Sequence, residues 1–488
     1  MNHARISHLS LLQNFRKNGR DGARPSRRRR RQPVFDNGGT RSVASAGVLQ
    51  KAHLSVLFLL QISALHVAAQ TICSCIPPDQ VVRAALSHSF ALRSADHETE
   101  AARQRYDQAA AQALPVVDLK MNAAHYEGLE DSALGPNLVI PAISDRYAAS
   151  VGITQPLYTG GRIDALKESS TFQQSAAENA RRGTRADIML QALAAYWNWS
   201  KAFYSANALQ ASVARMEAHA TDMRNQYQAG LATENDKLAT EVLLDQTRLR
   251  LESARRRVDI TRARIAFLTG QDLPADSVPE AAIVPRELAV PPEADSLALA
   301  RTNRPERTAR VMEGRSFAAL VTASRAERRP QVFLTSRYEW AQPNSMFFPP
   351  EEEWNEDAFA AVAINWTLLD WGLLKAKAAE AAIRSAQADL RLAQTEESIA
   401  LEVKEARIGL QDALERVKVA DRVTQSAQRN LEAATSLWQG GLARHSDVLD
   451  AHAQLTDTQN EVITARADAA LAKAALEHAL GTPNESNP

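Results

Sequence analysis

Residues that staple or ligate are scarce in this chain. Only two cysteines, Cys73 and Cys75, occur in 488 residues, and a disulfide across a single intervening residue would be badly strained. The 11 histidines are scattered, none paired with cysteine or carboxylate at ligand spacing, so no metal or other cofactor is expected. Phosphate loops and nucleophile constellations are missing too, which argues against an enzyme. Aromatic residues make up only 6% of the chain while Ala, Leu, Arg, Glu and Gln dominate. That bias favours extended helices over a compact mixed core. Past residue 69 no segment approaches the roughly 18 apolar residues of a spanning helix, so a membrane location would require a β-barrel.

A net charge of zero hides an uneven distribution. Residues 1–69 hold 12 Lys and Arg against 2 Asp and Glu, leaving 45 against 55 in residues 70–488, a net charge of −10. So acidic a body lacks the basic surface that phosphate binding needs, and no nucleic-acid partner is expected.

Residues 1–50 have the polar, Gly- and Arg-rich composition of a disordered leader. The run Arg27–Arg31 suits nucleic-acid binding, a twin-arginine export signal, or an unstructured leader upstream of the true start; Met1 is the only Met before Met121, so a later start would use a non-AUG codon, with Val48 well placed. Residues 51–69, KAHLSVLFLLQISALHVAA, join a basic Lys51 to an apolar Leu54–Leu65 stretch and a small-residue Val67-Ala68-Ala69 site. This is the pattern of a cleaved secretory signal peptide. Just beyond, Ile72-Cys73-Ser74-Cys75 resembles a lipoprotein acylation box with Cys75 as acceptor.

An internal repeat organises the rest. A shift of 211 residues lays Gly161 on Gly372, Gly230 on Gly441, Leu231 on Leu442, Ala232 on Ala443, Asp236 on Asp447, Leu238 on Leu449 and Gly270 on Gly481. These identities fall at turns and helix ends, where glycine has a mechanical reason to be. The halves cover about 79–270 and 297–481, with a Pro-rich linker at 271–296 and a tail at 482–488. The linker shows neither helical nor strand periodicity.

Each half moves from helix to strand and back. Alternation predicts strands over about 114–126 and 146–157 in the first half, and about 330–341 and 358–369 in the second. Val117, Leu119 and Met121 alternate with Asp118, Lys120 and Asn122; Tyr147, Val151 and Ile153 alternate with Ala148, Gly152 and Thr154. Ten residues with one apolar face fit a tilted membrane strand, and a half-buried soluble hairpin has the same period. The helices discriminate. From Arg162 to Ala229 there is no proline and one glycine, Gly183, so one helix of about 100 Å is expected. One helix over about 79–113 (roughly 50 Å) and another over 233–269 (roughly 55 Å) together match it, giving a rod. Leu244, Leu251, Val258 and Ile265 recur at sevens, with Thr247, Ala254, Thr261 and Leu268 three further on. Such a large-and-small heptad suits closely packed coiled-coil hairpins with tips at about 229–236 and 440–447. The aromatic run Tyr196–Tyr204 reads as packing, and Arg407 stands opposite Tyr196 in the second half.

Four strands cannot close a membrane barrel alone, so the chain must oligomerise if they span lipid. ITQPLYTGGRI (Ile153–Ile163), the two Gly-Leu-Ala tips followed by aspartate, and SDVLDA (Ser446–Ala451) together resemble the TolC family of outer membrane efflux proteins over about 79–481. That resemblance implies a mainly α fold with a small β part, assembled as a homotrimer with a 12-stranded barrel in outer-membrane lipid on an α-helical periplasmic tunnel. It further implies a passive conduit for efflux or type I secretion, coupled through a periplasmic adaptor to an ABC or proton-driven inner-membrane transporter. Gly230, Leu231, Ala232, Gly441, Leu442 and Ala443 would be adaptor-docking tips, and Asp447 and Asp450 the carboxylates ringing the entrance. The family's gate latch of aromatic hydroxyl, arginine and aspartate matches Asp236, but Trp438 replaces the tyrosine and Ala443 the arginine, with Arg444 one step along. A secreted or periplasmic coiled-coil adaptor or scaffold is the rival reading; it would need neither four strands nor a duplicated half.

Overall fold

The computed structural model describes residues 74–133, 135, 139–280 and 290–482; the leader, the signal segment, Cys73 and residues 483–488 of the tail lie outside them. The chain opens with β1 (Ser74–Ile76), α1 (Pro78–His88) and α2 (Phe90–Ala111). The single helix expected over 79–113 is therefore two. Ser89 separates them, accepting Leu92 N–H on its hydroxyl as the cap of α2. Strands β2 (Val116–His125), β3 (Ser132–Ala133), β4 (Val139–Ile140) and β5 (Asp145–Tyr158) follow, then α3 (Arg162–Gln228) and α4 (Glu234–Thr269). After β6 (Ser277–Pro279) the order repeats as α5 (Glu293–Asn303), α6 (Pro305–Ala326), β7 (Gln331–Gln342), β8 (Asn355–Asn365), α7 (Leu373–Gln439) and α8 (His445–Ala479).

Repeat symmetry extends to the length of the long helices: α3 and α7 each have 67 residues, about 100 Å of rise. The heptad positions pack as patterned. Leu244, Leu251 and Ile265 of α4 are buried, as are Leu455, Ala469 and Leu476 of α8. Leu244 and Leu251 join Leu209, Val213 and Met216 of α3 in one apolar cluster; Leu455 joins Leu431 of α7 and Val448 in another. Each hairpin is thus closed by hydrocarbon, and Leu449 of α8 packs on the cluster of the first. Between hairpins, the contact of α3 with α8 also carries polar pairs. Lys201 meets Asp468 at 2.9 Å, Ser212 meets Thr456 at 2.6 Å and Arg215 meets Gln459 at 3.2 Å.

Contrary to the aperiodic reading of the linker, part of it forms a strand. Residues of β6 pair in parallel with β1, Cys75 opposite Val278. Three-residue strands joined across two hundred residues leave no period to detect. The aromatic run anchors them: the hydroxyl of buried Tyr196 donates to Ile76 C=O (2.7 Å) and accepts Glu280 N–H (2.8 Å), and half-buried Tyr204 donates to Pro279 C=O (2.9 Å). Burial pushes the Tyr196 phenol well above its usual range. Arg407, at the equivalent place, donates instead to Pro291 C=O at 3.0 Å. One position therefore ties down each end of the linker.

The long strands form one antiparallel sheet in the order β2-β5-β7-β8. Register aligns the apolar positions across all four: Leu119 lies opposite Val151, Val151 opposite Tyr338, and Tyr338 opposite Ala358. On the other face Lys120, Ser150, Glu339 and Asp357 form the neighbouring row. The apolar face is uncovered, with Leu119 64%, Val151 42% and Tyr338 49% exposed. The fourth strand lies earlier than the expected 358–369. Its ladder ends at Asn365 because β7 begins opposite it, at Gln331, and offers nothing to pair with residues 366–369. Strand β2 begins only after Pro115, which has no N–H to donate.

Candidate functional site: the hairpin tips

Both hairpins turn in the same way. At the first tip Gly230 has φ 74° and at the second Gly441 has φ 73°, a left-handed conformation that costs a residue with Cβ about 1 kcal/mol or more. Gly230 N–H donates to Tyr227 C=O (3.0 Å) and Leu231 N–H to Gln226 C=O (2.8 Å); Gly441 and Leu442 repeat this on Trp438 and Leu437. These paired bonds satisfy the last carbonyls of each long helix and force the chain to reverse. They also push Leu231 and Leu442 outward, each 79% exposed.

The two equivalent aspartates cap the returning helices. Asp236 accepts Thr233 N–H (3.2 Å) and the Thr233 hydroxyl (2.6 Å), while Asp236 N–H returns a bond to that hydroxyl (3.2 Å). The Thr233 hydroxyl bond holds the Asp236 carboxyl below the usual carboxylate range. Asp447 accepts Arg444 N–H at 3.0 Å; arginine has no side-chain acceptor, so the second capping box is half made. Asp450 is exposed one turn on, and Arg444 is exposed at the cap. Among the described residues no hydrogen bond joins Asp236, Trp438 and Arg444 within the chain. Asp236 is taken by Thr233, and Trp438 packs its ring against His219 and His445 at 5.7 and 5.4 Å between centroids.

Those histidines do not stand out in the sequence, where the eleven are scattered. Beside the tips, His219 of α3 stacks on His445 at 5.2 Å with rings 21° apart, and lies 5.4 Å from His452. Thr240 of α4 reaches His445 Nε2 at 2.8 Å. Burial lowers the pKa of all three imidazoles, and that of His452 falls to about 4, with His219, Arg215 and His445 adding repulsion. One signal was available: His445 and His452 are seven apart on α8, alternating with the buried Val448 and Leu455. Their partner on α3 lies more than two hundred residues away, beyond any local pattern.

Elsewhere Asp187, Glu306 and His478 bring ligand atoms within 4.8 Å of one another. Arg304 Nε, however, lies 3.1 Å from Glu306 Oε2, and His478 Nε2 already meets Asp187 Oδ1 at 2.9 Å. Each carboxylate therefore has a partner. Cys75 is exposed in β1.

Comparison with known proteins places this geometry. The family model for outer membrane efflux proteins matches residues 81–271 and 297–482, one segment in each half. SilC of Salmonella typhimurium, described as a probable outer membrane lipoprotein, is 22% identical over 402 residues, covering 79% of this chain and 81% of its own. Among solved structures, the outer membrane protein VceC of Vibrio cholerae superposes with a TM-score of 0.70 at 21% identity, covering 83% of this chain and 96% of its own. The CmeC outer membrane channel of Campylobacter jejuni does so with 0.70 at 15% identity, covering 84% and 87%.

Proposed function

Because the chain belongs to the outer membrane efflux protein family, we propose that three copies close one 12-stranded barrel above a helical tunnel gated by their hairpin tips. The protein is an outer-membrane channel of the efflux class and not an enzyme. One observation carries the trimer: a four-stranded sheet with an exposed apolar face and two unpaired edges, β2 and β8. In lipid each unpaired backbone group costs several kcal/mol, so an open edge of ten residues is prohibitive. Pairing β8 of one copy with β2 of the next removes both edges and places the Lys120–Ser150–Glu339–Asp357 row on the lumen side.

Beneath the barrel the two tips per chain form a ring of six. Leu231 and Leu442, held outward by Gly230 and Gly441, with Ala232 and Ala443 beside them, offer an apolar docking surface to a periplasmic adaptor. Energy comes from an inner-membrane ABC or proton-driven transporter reached through that adaptor, in efflux or type I secretion. Asp450, with Asp447 in reserve beyond its capping bond, lines the entrance and selects for cations. Asp236, Trp438 and Arg444 act in closure between chains, since they do not meet within one. Acylation of Cys75, supported by its exposure and by the lipoprotein description of SilC, would replace cleavage after Ala69 and make Cys75 the anchored first residue of the mature chain.

Native mass spectrometry of the detergent-extracted protein with planar-bilayer recording tests the assembly. A trimer with ion conductance is expected; a monomer without channel activity overturns the reading.

A further inference from the structure

The central imidazole is tied at one nitrogen only. The Thr240 hydroxyl lies 2.8 Å from both Asp236 C=O and His445 Nε2. His445 Nδ1 is buried without a protein partner, as is Nε2 of the stacked His219, and His445 as a whole is only 7% exposed.

Neutral imidazoles stack in this way without electrostatic cost. A protonated His445 holds a buried Nδ1–H with no acceptor, and a second charge on His219 would lie against the first. No carboxylate is hydrogen-bonded to any of the three rings among the described residues. The groups facing the cluster do not compensate. From α3 come Asp222, which favours a charge on His219, and Arg215, which opposes one on His452; Arg215 Nε is itself buried and unpaired. From α4 comes Asp236, which favours a charge on His445 but is already bonded to Thr233. From α7 comes the uncharged ring of Trp438.

We propose that His219, His445 and His452 form a proton-operated catch between the two hairpins of each chain. Neutral, the catch holds the α3–α4 tip against the α8 side of the second hairpin; protonated, it releases them. It sits where the polar α3–α8 contact reaches the tips, so release loosens the tunnel's inner end. This last step rests on the reading of the tips as the gate, whereas the catch itself does not.

The sign follows from the depressed pKa values. A histidine kept neutral in the docked state contributes its full docking stability above the ordinary value near 6.5, and loses it as pH falls toward the docked value. For His452, docked at about 4, the undocking equilibrium should rise up to about thirtyfold between pH 7.5 and pH 5. Hydrogen exchange on the intact trimer in detergent, corrected for intrinsic rates, reads this directly in residues 212–223 and 445–456. Bilayer conductance with the tip side acidified reads the gate separately. Wild type is expected to lose protection and gain conductance at pH 5. The variant His219→Gln/His445→Gln/His452→Gln is expected to lose the pH dependence of both readouts, with exchange and conductance the same at pH 5 as at pH 7.5. Exchange that is flat with pH in wild type, or an acid response that persists in the variant, overturns the catch. A pH-dependent exchange without any conductance keeps the catch and removes the gate reading. Should the triple variant fail to assemble, His452→Gln alone decides, because an acid response equal to wild type would refute the proposal.

Discussion

Replacing Leu119 with arginine separates a lipid-facing sheet from a soluble one more sharply than any change at the tips. Leu119 occupies the middle of β2, in the row that continues through Val151 and Tyr338 to Ala358. If that row faces hydrocarbon near the midplane, one arginine costs about 2–4 kcal/mol per chain, and on the order of 6–12 kcal/mol in a trimer if the three sites are independent. If the row faces water, Leu119 is an ordinary exposed side chain and the change stays within about 0.5 kcal/mol. Ser150→Arg is the matched control. It is one step away on the opposite face, directly across from Lys120 on one side and Glu339 on the other, where a cation meets water, one like charge and one opposite charge. The assay is denaturant unfolding of the protein folded into liposomes, with trimer retention on semi-native gels as a second readout. Leu119→Arg should lower the midpoint strongly and deplete the trimer while Ser150→Arg stays near wild type. Equal behaviour of the two variants would refute the assignment of faces, and with it the barrel.

Other positions make separate claims. Asp447→Ala with Asp450→Ala should weaken cation preference, read as a reversal-potential shift in a salt gradient at low ionic strength; wild-type selectivity would return both residues to the helix surface. Of that pair, only Asp447→Ala should also destabilise the tip, by about 0.5–1 kcal/mol through loss of its capping bond, measurable by local hydrogen exchange. Tyr196→Phe strands Ile76 C=O and Glu280 N–H together and should cost about 2–4 kcal/mol in thermal unfolding, whereas an unchanged melting temperature would mean the linker clasp is dispensable. Cys75→Ser should abolish palmitate labelling of the mature protein; labelling that survives would exclude Cys75 as acceptor.

What the sequence disclosed was whatever repeats or alternates. The 211-residue shift exposed both hairpins because glycine at a left-handed turn has few substitutes, so Gly230 and Gly441 stand out. Strands declared themselves by period two and were located to within a few residues. Strand β8 strayed furthest because its end is set by where β7 starts, a property of the neighbour. The β1–β6 ribbon was invisible for a related reason: the side chain that bonds to both strand ends, Tyr196, is more than a hundred residues away from one strand and eighty from the other. At the tips, Asp236 and Asp447 were legible as equivalent, but their capping bonds were not, since the same spacing serves a pore-facing carboxylate equally well. The histidine cluster was least legible, being assembled from α3 and α8 by the docking of one hairpin on the other.

That docking surface differs in kind from the seams inside each hairpin. Parting α3 from α4 would expose Leu209, Val213, Leu244 and Leu251 to solvent, and water has nothing to offer them. Parting α3 from α8 exposes Ser212, Thr456, Arg215, Gln459, Lys201 and Asp468, to which water offers replacement partners at a net difference of about 1 kcal/mol per bond. The molecule is therefore built from two welded struts meeting at a wettable joint. Should that joint part, water would replace its polar pairs while Leu449 of α8 left the apolar cluster, and the struts on either side would keep their shape.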